Sequence, residues 1–228
     1  MKIHDVAQRS VEWGHLRAGI PTASEFGALI TSEGKVRTGQ MPASYLAKKL
    51  AEYWLGGPLL TFMSYDMDAG TILEEEAIPW LEFEQGWTIE RPGFISTDDG
   101  LVGCSPDGWL AVQKRGIEIK CPAPETHVKY LLGGVVPEDY VAQVQGSMWV
   151  TGLDKWTFLS YRRRFPQLAL TVERDETIQN GISEALAVFL AKFKAGKERL
   201  IELNGGPPKH YQPRQTVFDA ETEADLIP

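Results

Sequence analysis

The stretch GCSPDGWLAVQKRGIEIK, residues 103–120, combines a turn sequence with two segments that are typical of β-strands. Side chains alternate between the two faces of a strand, so Glu118 and Lys120 are expected to share one face while the isoleucines beside them pack into the other. If GWLAV pairs with GIEIK across the intervening QKRG, the hairpin returns Glu118 to the level of Asp107. The sequence therefore predicts a hairpin that brings two carboxylates together beside a lysine.

Such a hairpin has the donors of a divalent metal site. Two carboxylates and a main-chain carbonyl, such as that of Ile119, suit Mg²⁺ or Mn²⁺. The lysine could orient or deprotonate an attacking water, so the hairpin would serve metal-assisted hydrolysis of a phosphodiester. Each part is also common in ordinary surface hairpins, and the residues alone leave a structural hairpin and a metal site about equally open.

The composition indicates a soluble protein with one hydrophobic core. The chain has 228 residues, of which 43% are hydrophobic, and this fits one large domain better than two small ones. The longest apolar run, residues 185–191, is too short to cross a bilayer, and the polar start MKIHDVAQRS lacks the apolar stretch of a signal peptide. We expect a cytoplasmic protein without a membrane partner.

Charge and cysteine content exclude two further classes. The net charge of −8 argues against a protein that coats nucleic acid nonspecifically, although a local basic groove stays open. The two cysteines, Cys104 and Cys121, are too few for a disulfide framework or a four-cysteine cluster, so we expect reduced, structural thiols. The four histidines are too scattered to suggest a zinc site.

Hydrophobic periodicity predicts an α/β or α+β fold with a mixed β-sheet. Helices are predicted in TASEFGALI, in PASYLAKKLAEYWLG, over 69–85, in EDYVAQVQGSMWVTG and over 176–203, and strands in WTIE, GFIST, LVGCS, GWLAV, GIEIK, KWTFLSYRRR and LALTVERD. The apolar stripe of the 69–85 helix would contain Ile72, Ala77, Trp80 and Leu81. One domain would span residues 1–204, and the polar, proline-containing residues 205–228 would form a tail that orders against a partner or neighbour.

Several separated blocks resemble the bacteriophage lambda exonuclease family of viral recombinase nucleases, within the restriction-endonuclease-like superfamily. The blocks are LRAGIPTASEF, CSPDG, EIKCP, LGG and AQVQGSMWVTG, and the resemblance runs from about Trp13 to Asp175. It implies an α/β fold with a restriction-endonuclease-like core, in which a central mixed β-sheet is flanked by helices. It also implies two Mg²⁺ ions per site, with Mn²⁺ as a substitute. The implied metal ligands are Asp107, Glu118, the Ile119 carbonyl and Glu74, with Lys120 and Gln143 positioning or activating water. The acidic neighbours of Glu74 leave its register open, and a solvated acidic helix face is the alternative.

The resemblance also implies a pocket for a terminal 5′-phosphate. Arg17, Ser24 and Ser105 match its positions, and an arginine fork with two hydroxyls suits a phosphate dianion. A surface ion pair is the alternative for Arg17, and a helix cap for Ser24. Trp13 would either stack on a base or be buried for its size.

Two other segments bear on DNA contact. The run of Arg162, Arg163 and Arg164 would contact the DNA backbone, with a solvated loop as the equal alternative. The arginine that the family carries after its Cys-Pro element is not evident, because CPAPETHVKY offers Thr126 and His127 instead. Details of phosphate engagement therefore stay open.

The resemblance predicts a Mg²⁺-dependent 5′ to 3′ exonuclease that degrades one strand of linear duplex DNA from a 5′-phosphorylated end and leaves a 3′ single strand. Members of the family form homotrimeric rings around DNA and pass the strand to a phage single-strand annealing protein, in a bacterial host. Two alternatives remain: a structure-specific endonuclease of the same superfamily, and a non-catalytic DNA-binding recombination adaptor. A nuclease with an iron–sulfur cluster is disfavoured by the two cysteines.

Overall fold

The computed structural model of the chain describes residues 1–59 and 65–209. The helices are α1 (Val11–Arg17), α2 (Gln40–Leu55), α3 (Tyr65–Gln85), α4 (Pro124–Gly133), α5 (Glu138–Thr151) and α6 (Glu176–Asn204), with a 3-10 helix at Ala23–Ala28. The strands are β1 (Lys2–His4), β2 (Phe94–Ser96), β3 (Gly103–Cys104), β4 (Gly108–Leu110), β5 (Arg115–Lys120), β6 (Lys155–Ser160) and β7 (Leu168–Glu173). The chain is a single mixed α/β domain.

The strands form two sheets in the described part of the chain, where the sequence predicted one central sheet. An antiparallel sheet has the order β1-β2-β3, and a mixed sheet has the order β4-β5-β6-β7, in which β5 and β6 are parallel. The chain passes from one sheet to the other between Cys104 and Gly108, through Pro106. Proline has no N–H to donate to a strand ladder, so pairing stops there and resumes in the next sheet.

The predicted hairpin between β4 and β5 is confirmed. The two strands pair antiparallel, with Gly108 opposite Ile117 and Leu110 opposite Arg115. After β5 the chain crosses over through α4 and α5 and returns as β6, which lies parallel to β5. A parallel neighbour requires such a crossover, and this one places α5 against the sheet beside β5.

Two hydrophobic clusters lie on either side of the mixed sheet. The larger one joins the 3-10 helix, α2, α5 and α6 to the sheet, and its largest fully buried side chains include Phe26, Trp156 and Phe158. The smaller one contains Ile117 and Ile119 of β5 with residues of α3. The alternation predicted along GIEIK is therefore confirmed, because the isoleucines pack on one side and leave Glu118 on the side of α5.

Helix α6 shows how local sequence sets an element. The Asp175 carboxylate accepts hydrogen bonds from the N–H groups of Thr177 at 2.8 Å and Ile178 at 3.1 Å, and Gly205 ends the helix at φ 70°. The apolar stripe of α6 faces the core, with its C-terminal end less covered. Its residues Ile178, Ile182, Leu186, Phe189 and Phe193 are buried, and Leu200 is half-buried.

A close approach between α5 and the 3-10 helix requires glycine. A Cβ atom at Gly146 would lie 2.4 Å from the Phe26 ring, nearer than any side chain could accommodate. Glycine at this position lets α5 press against the 3-10 helix that carries Ser24. The helix that carries Gln143 and the 3-10 helix that carries Ser24 are thereby held together.

Some predicted elements differ from the structure. WTIE forms no strand, because only Glu90 pairs, as an isolated bridge to Trp109. Ile72 is 62% exposed, although Ala77 and Leu81 of the same stripe are buried and Trp80 is half-buried. The residues of β5 cover only the later turns of α3. Helical spacing therefore predicted a buried stripe that extends too far toward the start of the helix.

Other elements lay outside the predictions. Helices α1 and α4 and strand β1 were not predicted, since each is short and lacks a sustained apolar period. Residues 210–228 of the predicted tail lie outside the described residues. Among the helices within 1–59 and 65–209, none has the length and apolar character needed to cross a membrane.

Candidate active site

The turn before β4 fastens Asp107 to strand β5. The Asp107 N–H donates to the carbonyl of Ile117 at 3.0 Å, and the Ile119 N–H donates to Oδ2 of Asp107 at 2.6 Å. N–H and C=O of one strand residue point to the same side, so the Ile119 carbonyl is directed to the strand edge where Asp107 lies. The structure thus brings together the Asp107 carboxylate and the main-chain carbonyl that the sequence named.

Glu118 is the centre of a second group on the face toward α5. Lys120 Nζ lies 2.6 Å from Glu118 Oε1, and Gln143 Nε2 donates to the same oxygen at 2.6 Å. The Glu118 side chain is 3% exposed and that of Lys120 is 24% exposed. Because both partners use Oε1, neither of them occupies Oε2.

The two carboxylates repel each other in a poorly solvated place. Burial raises the pKa of Asp107 well above its ordinary value, and the nearby Glu118 carboxylate raises it further. Burial alone would lower the pKa of Lys120, but Glu118 and Asp107 raise it above its ordinary value. Lys120 is therefore a charged hydrogen-bond donor that offsets part of the negative charge.

This donor set fits a hard divalent cation. Asp107 and Ile119 line a cavity of about 280 Å³ that also borders Glu74 of α3. Carboxylates that stay ionised only against mutual repulsion gain from a cation between them, and carboxylate and carbonyl oxygens are the ligands that Mg²⁺ prefers. The residues that would hold it are Asp107, Glu118 and the Ile119 carbonyl.

Glu74 stands apart from the other two carboxylates. It accepts an ion-pair contact from Arg9 Nη2 at 2.6 Å, although it lies near enough to raise the pKa of Asp107. Within residues 1–59 and 65–209, no three acidic, histidine or cysteine side chains form a ready metal cluster. Glu74 therefore borders the cavity, and its carboxylate is engaged by an arginine.

The residues predicted for a 5′-phosphate do meet in one place. Arg17 donates from Nη1 to Ser105 Oγ at 2.9 Å and from Nη2 to Ser24 Oγ at 3.1 Å. None of the ion pairs formed within residues 1–59 and 65–209 includes Arg17, so the alternative of a surface ion pair is not what the structure has. Burial lowers the pKa of Arg17, and Glu25 offsets part of that effect.

Trp13 lies against this group of Arg17, Ser24 and Ser105, which we call the Arg17 pocket. Its Nε1 donates to Ser105 Oγ at 2.9 Å and to the carbonyl of Gly93 at 3.0 Å, and the Arg17 guanidinium lies 4.2 Å from its ring centre. The ring is half-buried. Trp13 therefore orients both Ser105 and Arg17, and one face of its ring is already covered by the guanidinium.

The arginine run after β6 does not act as one patch. Arg162 donates to the carbonyl of Pro122 at 3.2 Å and is half-buried. Arg163 pairs with Glu76 of α3, and Arg164 is exposed at φ 69°. Of the three, only Arg164 presents a guanidinium with neither a carboxylate nor a carbonyl partner among the described residues.

Comparison with known proteins identifies the family. Residues 12–154, more than half of the chain, match the YqaJ-like viral recombinase domain. The chain belongs to the YqaJ-like viral recombinase family. The matched range contains every residue of the hairpin and of the Arg17 pocket, and ends just before β6.

Solved structures and a curated relative are also similar to the chain. LHK-Exo, an alkaline exonuclease from Laribacter hongkongensis, aligns in its complex with dAMP at a TM-score of 0.77 and 28% identity, covering 86% of this chain and 98% of that one. A phage-related exonuclease from Haemophilus somnus 129PT shares the fold, with a TM-score of 0.58, 16% identity, and coverage of 81% and 96%. ExoD of Escherichia coli (strain K12) is 37% identical over 71 residues, 29% of this chain and 82% of ExoD.

The segment after the Cys-Pro element departs from the family pattern, and its His127 has a structural role. The resemblance led us to expect an arginine after the Cys-Pro element, where the sequence has Thr126 and His127 instead. His127 is fully buried, with Nδ1 2.8 Å from Ser160 Oγ and Nε2 2.9 Å from the carbonyl of Pro166. These contacts connect α4 with the end of β6 and with the loop that follows β6. His127 therefore takes no part in the pocket.

Sequence reasoning missed a side chain next to Lys120. Lys120 Nζ lies 4.9 Å from the ring centre of Tyr140, and Tyr130 packs edge-on against the same ring. Tyr140 stands three positions before Gln143 on α5, so helical spacing places both on one face. That spacing could have identified Tyr140 as a residue that holds Lys120 in place.

Two residues of the N-terminal segment were also missed. Gln8 donates from Nε2 to the carbonyl of Pro106 at 2.8 Å, directly before Asp107. Arg9 follows it and reaches Glu74. Nothing in the local sequence connects these residues with the hairpin, which lies about a hundred positions further along the chain.

Proposed function

We propose that the chain is a Mg²⁺-dependent 5′ to 3′ exonuclease that degrades one strand of linear duplex DNA from a 5′-phosphorylated end. Membership of the YqaJ-like family and the likeness to LHK-Exo support a DNA exonuclease. A complex of that protein with dAMP, a nucleoside monophosphate, is consistent with a DNA strand as the substrate. The proposed 5′ to 3′ polarity and the preference for a phosphorylated end are supported by the geometry of the site.

The observation that carries the proposal is that the anion pocket and the carboxylate pair share one turn. Ser105, held by Arg17, and Asp107, held by Ile119, stand two residues apart. Two residues of chain span at most about 7 Å, comparable to the spacing of successive phosphates along a strand. A terminal phosphate on Arg17 would therefore place the next phosphodiester beside Asp107.

The chain's own residues would then carry out hydrolysis. We expect two Mg²⁺ ions per site, with Mn²⁺ as a substitute. When bound, they would supply positive charge for the phosphoryl oxygens and lower the pKa of a water. Lys120 orients the attacking water, and Gln143 and Tyr140 hold Lys120 and Glu118 in register. Arg17, Ser24 and Ser105 fix the strand end.

The products follow from the bond that breaks. The water oxygen adds to phosphorus, the bond from phosphorus to O3′ of the terminal nucleotide breaks, and the water proton ends on O3′. The released mononucleotide keeps the original 5′-phosphate. The shortened strand carries a new 5′-phosphate, which Arg17 can bind in the next cycle.

The finer expectations belong to the same proposal. We expect a restriction-endonuclease-like core, a homotrimeric ring around the duplex, and delivery of the 3′ single strand to a phage annealing protein. Enclosure of DNA would reduce the affinity that each subunit must supply, which is compatible with a net charge of −8. Trp13 and Arg162 to Arg164 would contact the DNA. The trimer is tested separately, by light scattering of the purified protein.

The reaction is tested on linear and closed circular duplexes of one sequence, with Mg²⁺ or with EDTA. The wild-type protein should digest only the linear form and only with Mg²⁺. Asp107→Asn and Lys120→Ala should stop digestion, whereas Lys129→Ala, an exposed lysine on α4, should not. Digestion of the closed circle would favour an endonuclease, and DNA binding without hydrolysis would favour an adaptor.

A further inference from the structure

Two ion pairs border the cavity at the candidate metal site. Arg9, from the N-terminal segment, contacts Glu74 through Nη2 at 2.6 Å. Arg91, from the loop before β2, binds Glu75 with a bidentate pair of hydrogen bonds, both at 2.8 Å. Consecutive glutamates of α3 therefore engage arginines from two separate segments of the chain.

Both arginines and both glutamates line the same cavity as Asp107 and Ile119. The cavity, about 280 Å³, is large enough for a phosphate group. Arg9 and Arg91 place two guanidinium groups on its wall, and a planar guanidinium is the side chain best suited to bidentate binding of phosphate oxygens.

An entering phosphate could replace the carboxylates that are bound to Arg9 and Arg91. The Arg9 and Arg91 side chains are 46% and 48% exposed, and that of Glu75 is 60% exposed. Exposed ion pairs contribute little to folding, so their presence is poorly explained by stability. An entering backbone phosphate also offers two oxygens to a guanidinium, so it can take the place of a carboxylate there.

The backbone at Arg9 supports a functional reason for its position. Arg9 has φ 67°, in the left-handed region that residues other than glycine rarely adopt. The preceding Gln8 fixes this segment through hydrogen bonds to the carbonyls of Pro106 at 2.8 Å and Pro92 at 3.4 Å. Such conformations persist where the surroundings determine them, and they concentrate at functional sites.

We propose that Arg9 and Arg91 form a subsite for backbone phosphates of the DNA strand, and that Glu74 and Glu75 fill it as internal substitutes while no DNA is bound. The subsite rests on the proposed function and uses residues distinct from the Arg17 pocket. When Arg9 exchanges Glu74 for a phosphate, the Glu74 carboxylate is released beside Asp107. Before the exchange, Arg9 binds the Glu74 carboxylate. This explains why Glu74 borders the cavity although the described residues contain no ready cluster of three metal-binding side chains.

The test measures DNA affinity in EDTA, by fluorescence anisotropy of a 5′-hydroxyl duplex at several salt concentrations. Each phosphate contact contributes about 0.9 to the slope of log affinity against log salt, which is about fivefold in affinity near 0.15 M salt. Arg9→Gly, which suits the positive φ, and Arg91→Gln should each lower affinity by about fivefold and the slope by about one. Glu75→Gln, which frees Arg91, should raise affinity.

An exposed pair on α6 gives the matched control. Arg199 and Glu202 lie 3.0 Å apart with side chains 66% and 65% exposed, and Arg199→Ala should leave affinity and slope unchanged. Wild-type affinity and slope in both Arg9→Gly and Arg91→Gln, in a protein that binds and digests DNA, would overturn the subsite alone. Failure of the wild-type protein to bind duplex DNA would overturn the subsite together with the proposed function.

Discussion

Gln143 and Lys120 converge on a single atom: both lie 2.6 Å from Oε1 of Glu118. One of them comes from helix α5 and the other from the strand that carries Glu118 itself. Their shared contact fixes the Glu118 carboxylate through one oxygen, and neither of them occupies the other. This relationship makes Gln143 a positioning residue whose effect should appear in turnover.

Gln143→Ala should lower kcat by about tenfold or more, because a hydrogen bond to a charged group contributes about 1.5–3 kcal/mol. DNA affinity in EDTA should change little, since Gln143 contacts no proposed phosphate ligand. Single-turnover digestion and anisotropy separate the two effects. Gln40→Ala, an exposed glutamine of α2, is the control, and an equal loss in both variants would remove the positioning role.

Arg17→Lys should abolish discrimination between phosphorylated and hydroxyl 5′ ends. Lysine keeps the charge but cannot reach Ser24 and Ser105 with two nitrogens at once, as Arg17 does. The initiation rates on the two kinds of end, measured on one duplex sequence, should approach each other. A preference as strong as in the wild-type protein would show that the terminal phosphate binds elsewhere.

Lys49→Met should destabilise the fold, because it leaves a buried carboxylate without its partner. The Lys49 side chain is 3% exposed and its Nζ lies 2.9 Å from Glu52, whose Oε2 also accepts the Gly19 N–H. Breaking a buried pair costs about 3–5 kcal/mol in the free energy of unfolding. Urea denaturation measures it.

The double variant Lys49→Met, Glu52→Gln removes both charges and keeps an oxygen acceptor for the Gly19 N–H, so it should recover part of that loss. The contact of Lys49 with Glu25 stays lost in both variants. Arg199→Ala, which breaks an exposed pair, should change the free energy of unfolding very little. A double variant no more stable than Lys49→Met would mean that packing, not the unpaired charge, causes the loss.

Glu25 should make the stability of the protein depend on pH. Burial alone would raise its pKa, but Lys49 and Lys48 hold it below the ordinary 4.5. A pKa lowered in the folded state gives stability that is present above 4.5 and is lost as the pH falls through the folded value. The stability difference between the wild type and Glu25→Gln, followed by urea denaturation from about pH 7 to 3, should therefore shrink on acidification. A difference independent of pH would exclude this contribution.

The hairpin could be predicted from sequence because its determinants are local. The turn residues and the alternation in GIEIK fix which side chains share a face, and the structure confirms the pairing of β4 with β5. The helix that supplies Gln143 was recognisable from its spacing and its terminal glycine.

The remainder depends on contacts between distant parts of the chain. Arg9 and Glu74 are 65 positions apart, and no local pattern connects them. Helical spacing placed Ile72 on the face of Ala77, but it does not state how far the neighbouring strand extends, and Ile72 is exposed. The division into two sheets at Pro106 likewise depends on where the chain turns in space.

We propose that the carboxylate hairpin and the Arg17 pocket together remove nucleotides from a 5′-phosphorylated end. A linear duplex with a single 5′-phosphate and a different fluorophore within each strand tests it most directly. With Mg²⁺, we expect loss of the phosphorylated strand from its 5′ end, an intact complementary strand, and no digestion by Asp107→Asn. Shortening from the 3′ end, or undiminished digestion by Asp107→Asn, would contradict it.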